Sequence, residues 1–148
     1  MTVARPPSRA ARAWLDARIA ERPGATPEEI LGRAHEEELE PGARRSRGAH
    51  FTPRDLARTV IERALDVLNE RAARAPSVLD PAMGGGAFLC EALRRLVARA
   101  GVADTPAIRR RVALGQLFGV DTDPAAVAAA RASLWLAIGD ASLDPAEL

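Results

Sequence analysis

The sequence predicts an α/β fold: an incomplete open sheet of about two parallel strands, with helices before and between them. Three observations carry this. An apolar run, Ser77-Val78-Leu79-Asp80, leads through Gly84-Gly85-Gly86 into an apolar helix. That order of strand, glycine turn and helix builds a pocket at the carboxyl end of a strand. A second apolar run, Leu117–Asp121, also ends in an acid and leads into a capped helix. The chain between them holds the helix or helices that a parallel crossover needs.

Taken in order, Ser8 to Glu21 reads as a helix with Trp14, Leu15 and Ile19 as its apolar set, broken by Pro23-Gly24. Thr26-Pro27-Glu28-Glu29 is a strong second helix start, because a threonine cap is answered by a glutamate three residues on. This helix is expected to end near Glu40, before Pro41-Gly42. Residues 1–43 therefore form an N-terminal helical segment, and residues 44–148 the α/β part. Thr52 can cap a third helix, with Pro53 in its first turn and Asp55 three residues after the cap. Its apolar face is read as Leu56, Val60, Ile61, Ala64, Leu65 and Leu68. The first strand is Val78–Asp80, and the helix after the glycines places Cys90 on its apolar side. Thr105-Pro106 opens a helix through Ile108 to Leu114. After the second strand, Asp123 is the N-cap, Pro124 the first helical residue, and Gly139 the stop for a helix through Ala125–Ile138.

Composition bounds the function. At 148 residues and 47% hydrophobic content, the chain has material for one globular domain and a small addition. Every basic residue among the 21 is arginine, they are scattered, and the net charge is +1. No global field for nucleic acid follows from that. The cluster Arg44-Arg45-Ser46-Arg47 can meet a phosphate backbone or simply be a solvated loop. A single cysteine excludes an internal disulfide and fits a cytoplasmic protein. His35 and His50 make no metal site with any cysteine or acid at ligand spacing, so no metal is expected. No apolar run is long enough for a membrane span.

The glycine turn fails both common phosphate readings. A dinucleotide fingerprint needs a third glycine where Leu89 stands, and a P-loop needs a lysine, which the chain lacks. Asp80 at the strand end repels phosphate but suits a cation or a hydroxyl. S-adenosylmethionine carries a sulfonium, an amino group and ribose hydroxyls, and no phosphate. Asp121, at the end of the second strand, stands where paired ribose hydroxyls would be held. The alternative is that Asp121 shares helix capping with Asp123.

Three segments in order, Gly-Ala-His-Phe-Thr-Pro (48–53), Asp-Pro-Ala-Met-Gly-Gly-Gly-Ala-Phe-Leu (80–89) and Gly-Val-Asp-Thr-Asp-Pro (119–124), resemble the S-adenosylmethionine-dependent, adenine-specific DNA methyltransferases of restriction–modification systems. The likeness covers roughly Arg44 to Gly139, and Ala129–Leu136 also looks like this class. It implies a Rossmann-like class I methyltransferase fold, here its N-terminal, cofactor-binding part. It implies that Phe51 and Thr52 cradle the methionine end of S-adenosylmethionine, and that Asp80, Ala82, Gly84 and Gly86 form the pocket floor. Asp121 would then hold the ribose, and Thr122 would lie against the adenine. Gly85 departs from the serine usual in the family, losing a hydroxyl but keeping backbone freedom.

The family's catalytic tetrapeptide, Asp/Asn/Ser-Pro-Pro-aromatic, does not occur: the only Pro-Pro pair, Pro6-Pro7, lies between Arg5 and Ser8. No catalytic residue is therefore expected in this chain. A sheet of this class has about seven strands, whereas two are legible. The expectation is a cofactor-binding part of an enzyme that meets DNA when complete, with a complementary catalytic or specificity subunit as partner. A non-catalytic subunit of a split enzyme and a remnant of a disrupted gene are the alternatives.

Overall fold

The computed structural model describes residues 17–38, 52–69, 76–144 and 147–148. The order of elements is α1 (Pro27–Glu38), α2 (Arg54–Asn69), β1 (Val78–Asp80), α3 (Ala87–Arg99), α4 (Pro106–Gln116), β2 (Leu117–Gly119) and α5 (Pro124–Ile138). The described part is mostly helical, with one parallel pair of strands in the register Val78↔Leu117, Leu79↔Phe118 and Asp80↔Gly119.

The predicted boundaries follow from local chemistry. Residues 17–21 are helical, and Gly24 at φ +90° turns the chain after them; Trp14 and Leu15 lie outside the described residues. The capping box before α1 is complete. Thr26 N–H and its hydroxyl donate to Glu29 Oε2 at 2.8 and 2.9 Å, and Glu29 N–H donates to Thr26 Oγ1 at 3.4 Å. Replacing Thr26 by alanine removes the side-chain half of this box. The expected cost is about 1 kcal/mol, read as a lower denaturation midpoint at unchanged slope.

Thr105 caps α4 by accepting from Ile108 N–H, and Asp123 caps α5 by accepting from Ala125 N–H. Pro106 and Pro124 occupy the first helical positions, where no amide hydrogen is needed. Gly139, at φ +68°, ends α5 with its N–H on Trp135 carbonyl.

Three expectations are corrected. Helix α2 begins at Arg54, and the Pro53 carbonyl accepts from the Leu56 and Ala57 amides. The buried stripe of α2 is Ala57, Ile61 and Leu65, while Leu56, Val60 and Leu68 are exposed. Residues four apart form one narrow apolar seam where α2 rests on α3, flanked by the ion pairs Glu62–Arg95 at 2.6 Å and Asp66–Arg99 at 3.8 Å. Strand β2 ends at Gly119 rather than Asp121. The chain beyond it still bonds to the first unit, since Val120 N–H donates to Asp80 carbonyl and Met83 N–H donates to Val120 carbonyl.

Helix α3 is the hub of the core. Leu89, Cys90, Ala92, Leu93, Leu96 and Val97 are buried against α2, α4 and α5. Burial pushes the Cys90 thiol up to about 12, and the neighbouring Glu91 adds to the shift, so it is a packed group and not a nucleophile. The other face of the sheet is open: Leu79, Phe118 and Val120 are all more than half exposed. Each strand also has an outer edge with no strand partner among the described residues. No described helix is long and apolar enough to cross a membrane.

Candidate functional site

The carboxyl ends of β1 and β2 meet at a turn built from two carboxylates and three glycines. Asp80 Oδ1 accepts from Ala82 N–H at 3.1 Å, folding the chain back after β1. Asp121 is the tie between the two strand ends. Its Oδ2 accepts from Gly84 N–H at 2.9 Å and its Oδ1 from Asp123 N–H at 2.9 Å. The capping alternative for Asp121 is thus half of the truth: it braces the start of α5 and also fixes the glycine turn, 37 residues away in sequence. A carboxylate has about four acceptor positions, so two bonds leave Asp121 able to accept more.

The glycines divide by what lies beside them. Gly84, at φ +50°, has nothing within 4 Å of the place a Cβ would take. Its side of the turn is open. A Cβ on Gly86, at φ +86°, would meet Ala130 Cα at 3.1 Å, so α5 closes on this residue. A Cβ on Gly85 would stand 2.7 Å from Gly32 Cα in α1. Of the three, Gly84 alone leaves the place of a Cβ open to a ligand. Gly86 is the N-cap of α3 and offers no side-chain cap to the first amides of that helix.

Asp80 carries the electrostatic signature. Its Oδ2 is buried and has no hydrogen-bond partner among the described residues. Burial raises its carboxyl above the ordinary value; the Ala82 amide opposes this, and the nearby Asp121 charge adds to it. A buried acceptor without a donor costs free energy, and a donor or cation at this point would relieve it. The same pair of carboxylates disfavours phosphate.

The remaining expected site residues are placed as follows. Ala82 and Thr122 are exposed on the two turns, and Thr52 is half-buried ahead of α2. Phe51 lies outside the described residues, as does the arginine cluster 44–47. Glu91, which the sequence reading did not single out, links α2 to α3. It is buried and pairs with Arg95 at 2.9 Å, Arg94 at 3.2 Å and Arg54 at 3.8 Å. Arg54 stands two residues after Thr52, so this buried charge helps set how α2 starts relative to the glycine turn. An acid on an otherwise apolar helix face was the available signal. Gly119 was missed as well: a Cβ there would strike Met83 Sδ and come within 2.8 Å of Leu89 Cδ1. An isolated glycine inside a strand is the sign of such close approach.

Searches of curated proteins and of solved structures returned no match. The family model described as N-6 DNA Methylase matches residues 27–143, from the first residue of α1 to beyond the end of α5. Strand, acid, glycine turn and second acid all lie inside that span, and the chain belongs to the N-6 DNA methylase family.

Proposed function

We propose that the turn at the ends of β1 and β2 binds S-adenosylmethionine, and that the chain is the cofactor-binding portion of a DNA adenine N6-methyltransferase of a restriction–modification system. The observation that carries this is the buried Asp80 Oδ2, unpartnered among the described residues, on the strand end that leads into the open turn at Gly84. It fits a ligand that brings a donor and positive charge without phosphate. Asp121 suits paired ribose hydroxyls, since each of its oxygens keeps an acceptor position after its backbone bond. Ala82, Gly84 and Gly86 complete the floor with Asp80, Thr122 lies against the adenine, and Phe51 and Thr52 hold the methionine end. Bound there, S-adenosylmethionine would supply a methyl group on a positive sulfur, for the exocyclic amino group of adenine. The part of this chain is to bind and orient, because no Pro-Pro-aromatic tetrapeptide is present to hold a flipped base.

The open sheet supports the reading that this is one portion of a larger Rossmann-like assembly. Parallel sheets are covered on both faces, whereas Leu79, Phe118 and Val120 are exposed. Helices of a complementary catalytic subunit would cover that face, and its strands would pair with the open edges.

The test is calorimetric titration of the chain with S-adenosylmethionine, beside Asp80→Asn. Saturable binding is expected, weakened about tenfold by the loss of one charged acceptor. The pH dependence has a definite sign. A cationic donor favours the Asp80 carboxylate, so binding lowers a pKa that the fold has raised. Proton release follows, and affinity falls as pH drops through the raised value. Asp80→Asn flattens that profile. A folded chain that takes up no cofactor overturns the proposal.

A further inference from the structure

We infer that helix α1 is a positioning element of the cofactor turn, acting through a backbone seat between Gly32 and Gly85; this rests on the cofactor reading above. Gly32 lies in the interior of α1, and its backbone faces the glycine turn. The place of a Cβ on Gly85 falls 2.7 Å from Gly32 Cα, 3.6 Å from its carbonyl carbon and 3.7 Å from its oxygen. Real side chains do not approach so closely, so the backbone of α1 occupies the volume that a side chain at 85 would need. Gly85 is not among the glycines with positive φ. Its backbone accepts alanine or serine, and only the helix forbids them.

The seat bears on the site because of what flanks it. Gly84 gives its amide to Asp121 and leaves its other side open, while Gly86 packs on Ala130 and starts α3. Held between α1 and α5, the turn has no room to shift without moving one of those helices. Helix α1 packs along α5 and also touches α3, and Ile30 is buried in that junction. Pushing α1 away at position 85 therefore moves the peptide that presents Gly84. Without the seat, serine or alanine at 85 would be neutral, as the family resemblance itself suggests for serine.

The contact is asymmetric, and the asymmetry supplies the experiment. A Cβ on Gly32 meets Gly85 Cα at 4.0 Å, an ordinary contact. Gly85→Ala should weaken S-adenosylmethionine binding by about tenfold or more, and should speed amide hydrogen exchange at residues 30–34 by a similar factor. Gly32→Ala should leave affinity within about twofold, since it creates no overlap. Val112→Ala, in the core away from the turn, should lower Tm and change neither affinity nor exchange at 30–34. In the native chain, bound S-adenosylmethionine should slow exchange at 30–34, which reads the coupling even where Gly85→Ala fails to fold.

Native-like binding by a folded Gly85→Ala chain overturns the inference. So does weakened binding with exchange at 30–34 unchanged, which would put the added methyl against the cofactor itself. Cofactor binding that leaves exchange at 30–34 as it was overturns it too. A native chain that binds no S-adenosylmethionine overturns the cofactor reading first, whereas native binding with an insensitive α1 removes only the seat.

Discussion

Asp121→Ala is expected to lose S-adenosylmethionine binding by two to three orders of magnitude and to destabilise the chain. Two separate terms add. The carboxylate accepts from Gly84 and Asp123 amides at 2.9 Å each, tying the glycine turn to the start of α5. Hydrogen bonds to a charged group contribute roughly 1.5–3 kcal/mol, and this side chain is half-buried, so the loss of both is put at roughly 2–3 kcal/mol of stability. The second term is the loss of the acceptors proposed for the ribose, at about tenfold in affinity for each 1.4 kcal/mol. Asp121→Asn separates them. Its single oxygen can serve one backbone amide well, while its NH2 repels the other, so stability falls by less than in alanine. Binding falls nearly as far, because the ribose faces one acceptor fewer and no charge. Denaturant titration gives the first quantity and calorimetry the second. Equal binding by native and Asp121→Ala chains would remove Asp121 from the cofactor site and leave it a brace.

How much of this was legible in the sequence depends on the range of the interaction. Caps are local, and three of the four expected N-caps were readable: Thr26 with Glu29, Thr105 before Pro106, and Asp123 before Pro124 bond as their spacing predicts, whereas α2 starts at Arg54, one residue too late for Thr52 to be its N-cap. The two strands were readable from short apolar runs ending in acids, although β2 stops at Gly119 because Val120 and Asp121 turn toward the first unit. The face of α2 was misread because helical spacing says which residues share a side, not which side is covered. Leu56 and Val60 share a broad apolar face with Ile61, yet of the apolar residues of α2 only Ala57, Ile61 and Leu65 form the buried stripe. The glycines were least legible. Gly84, Gly85 and Gly86 look equivalent as letters, and their neighbours come from the turn after β2, from α1 and from α5, which the order of residues does not bring together. Gly32 and Gly119 give no sign beyond being glycines inside a helix and a strand.

Gly119→Ala is expected to cost about as much stability as Asp121→Ala, for a steric reason. In a strand, alanine for glycine is ordinarily favourable, because it reduces the freedom of the unfolded chain. Here the methyl would overlap Met83 Sδ, stand 2.8 Å from Leu89 Cδ1 and 3.4 Å from Met83 Cβ. Leu89 is only 2% exposed and has no empty space to move into, whereas Met83, at 9%, is the more adaptable side chain. Overpacking of this kind costs roughly 1–3 kcal/mol. The upper part of that range is expected, since two side chains and the β1–β2 pairing must yield together. For a chain of this size that is a Tm lower by roughly 5–10 °C. The relaxation is also directed. Met83 lies between Ala82 and Gly84, and its N–H is bonded to Val120 carbonyl, so yielding at Met83 moves the floor of the proposed site and weakens cofactor binding. Gly115→Ala is the control: it is an exposed position in α4 with nothing within 4 Å of the new Cβ. There alanine should stabilise by about 0.5–1 kcal/mol through helix propensity. Thermal unfolding of both variants decides the matter. If Gly119→Ala is as stable as the native chain, then Met83 and Leu89 are not wedged over β2, and the tight junction beneath the glycine turn does not exist in solution.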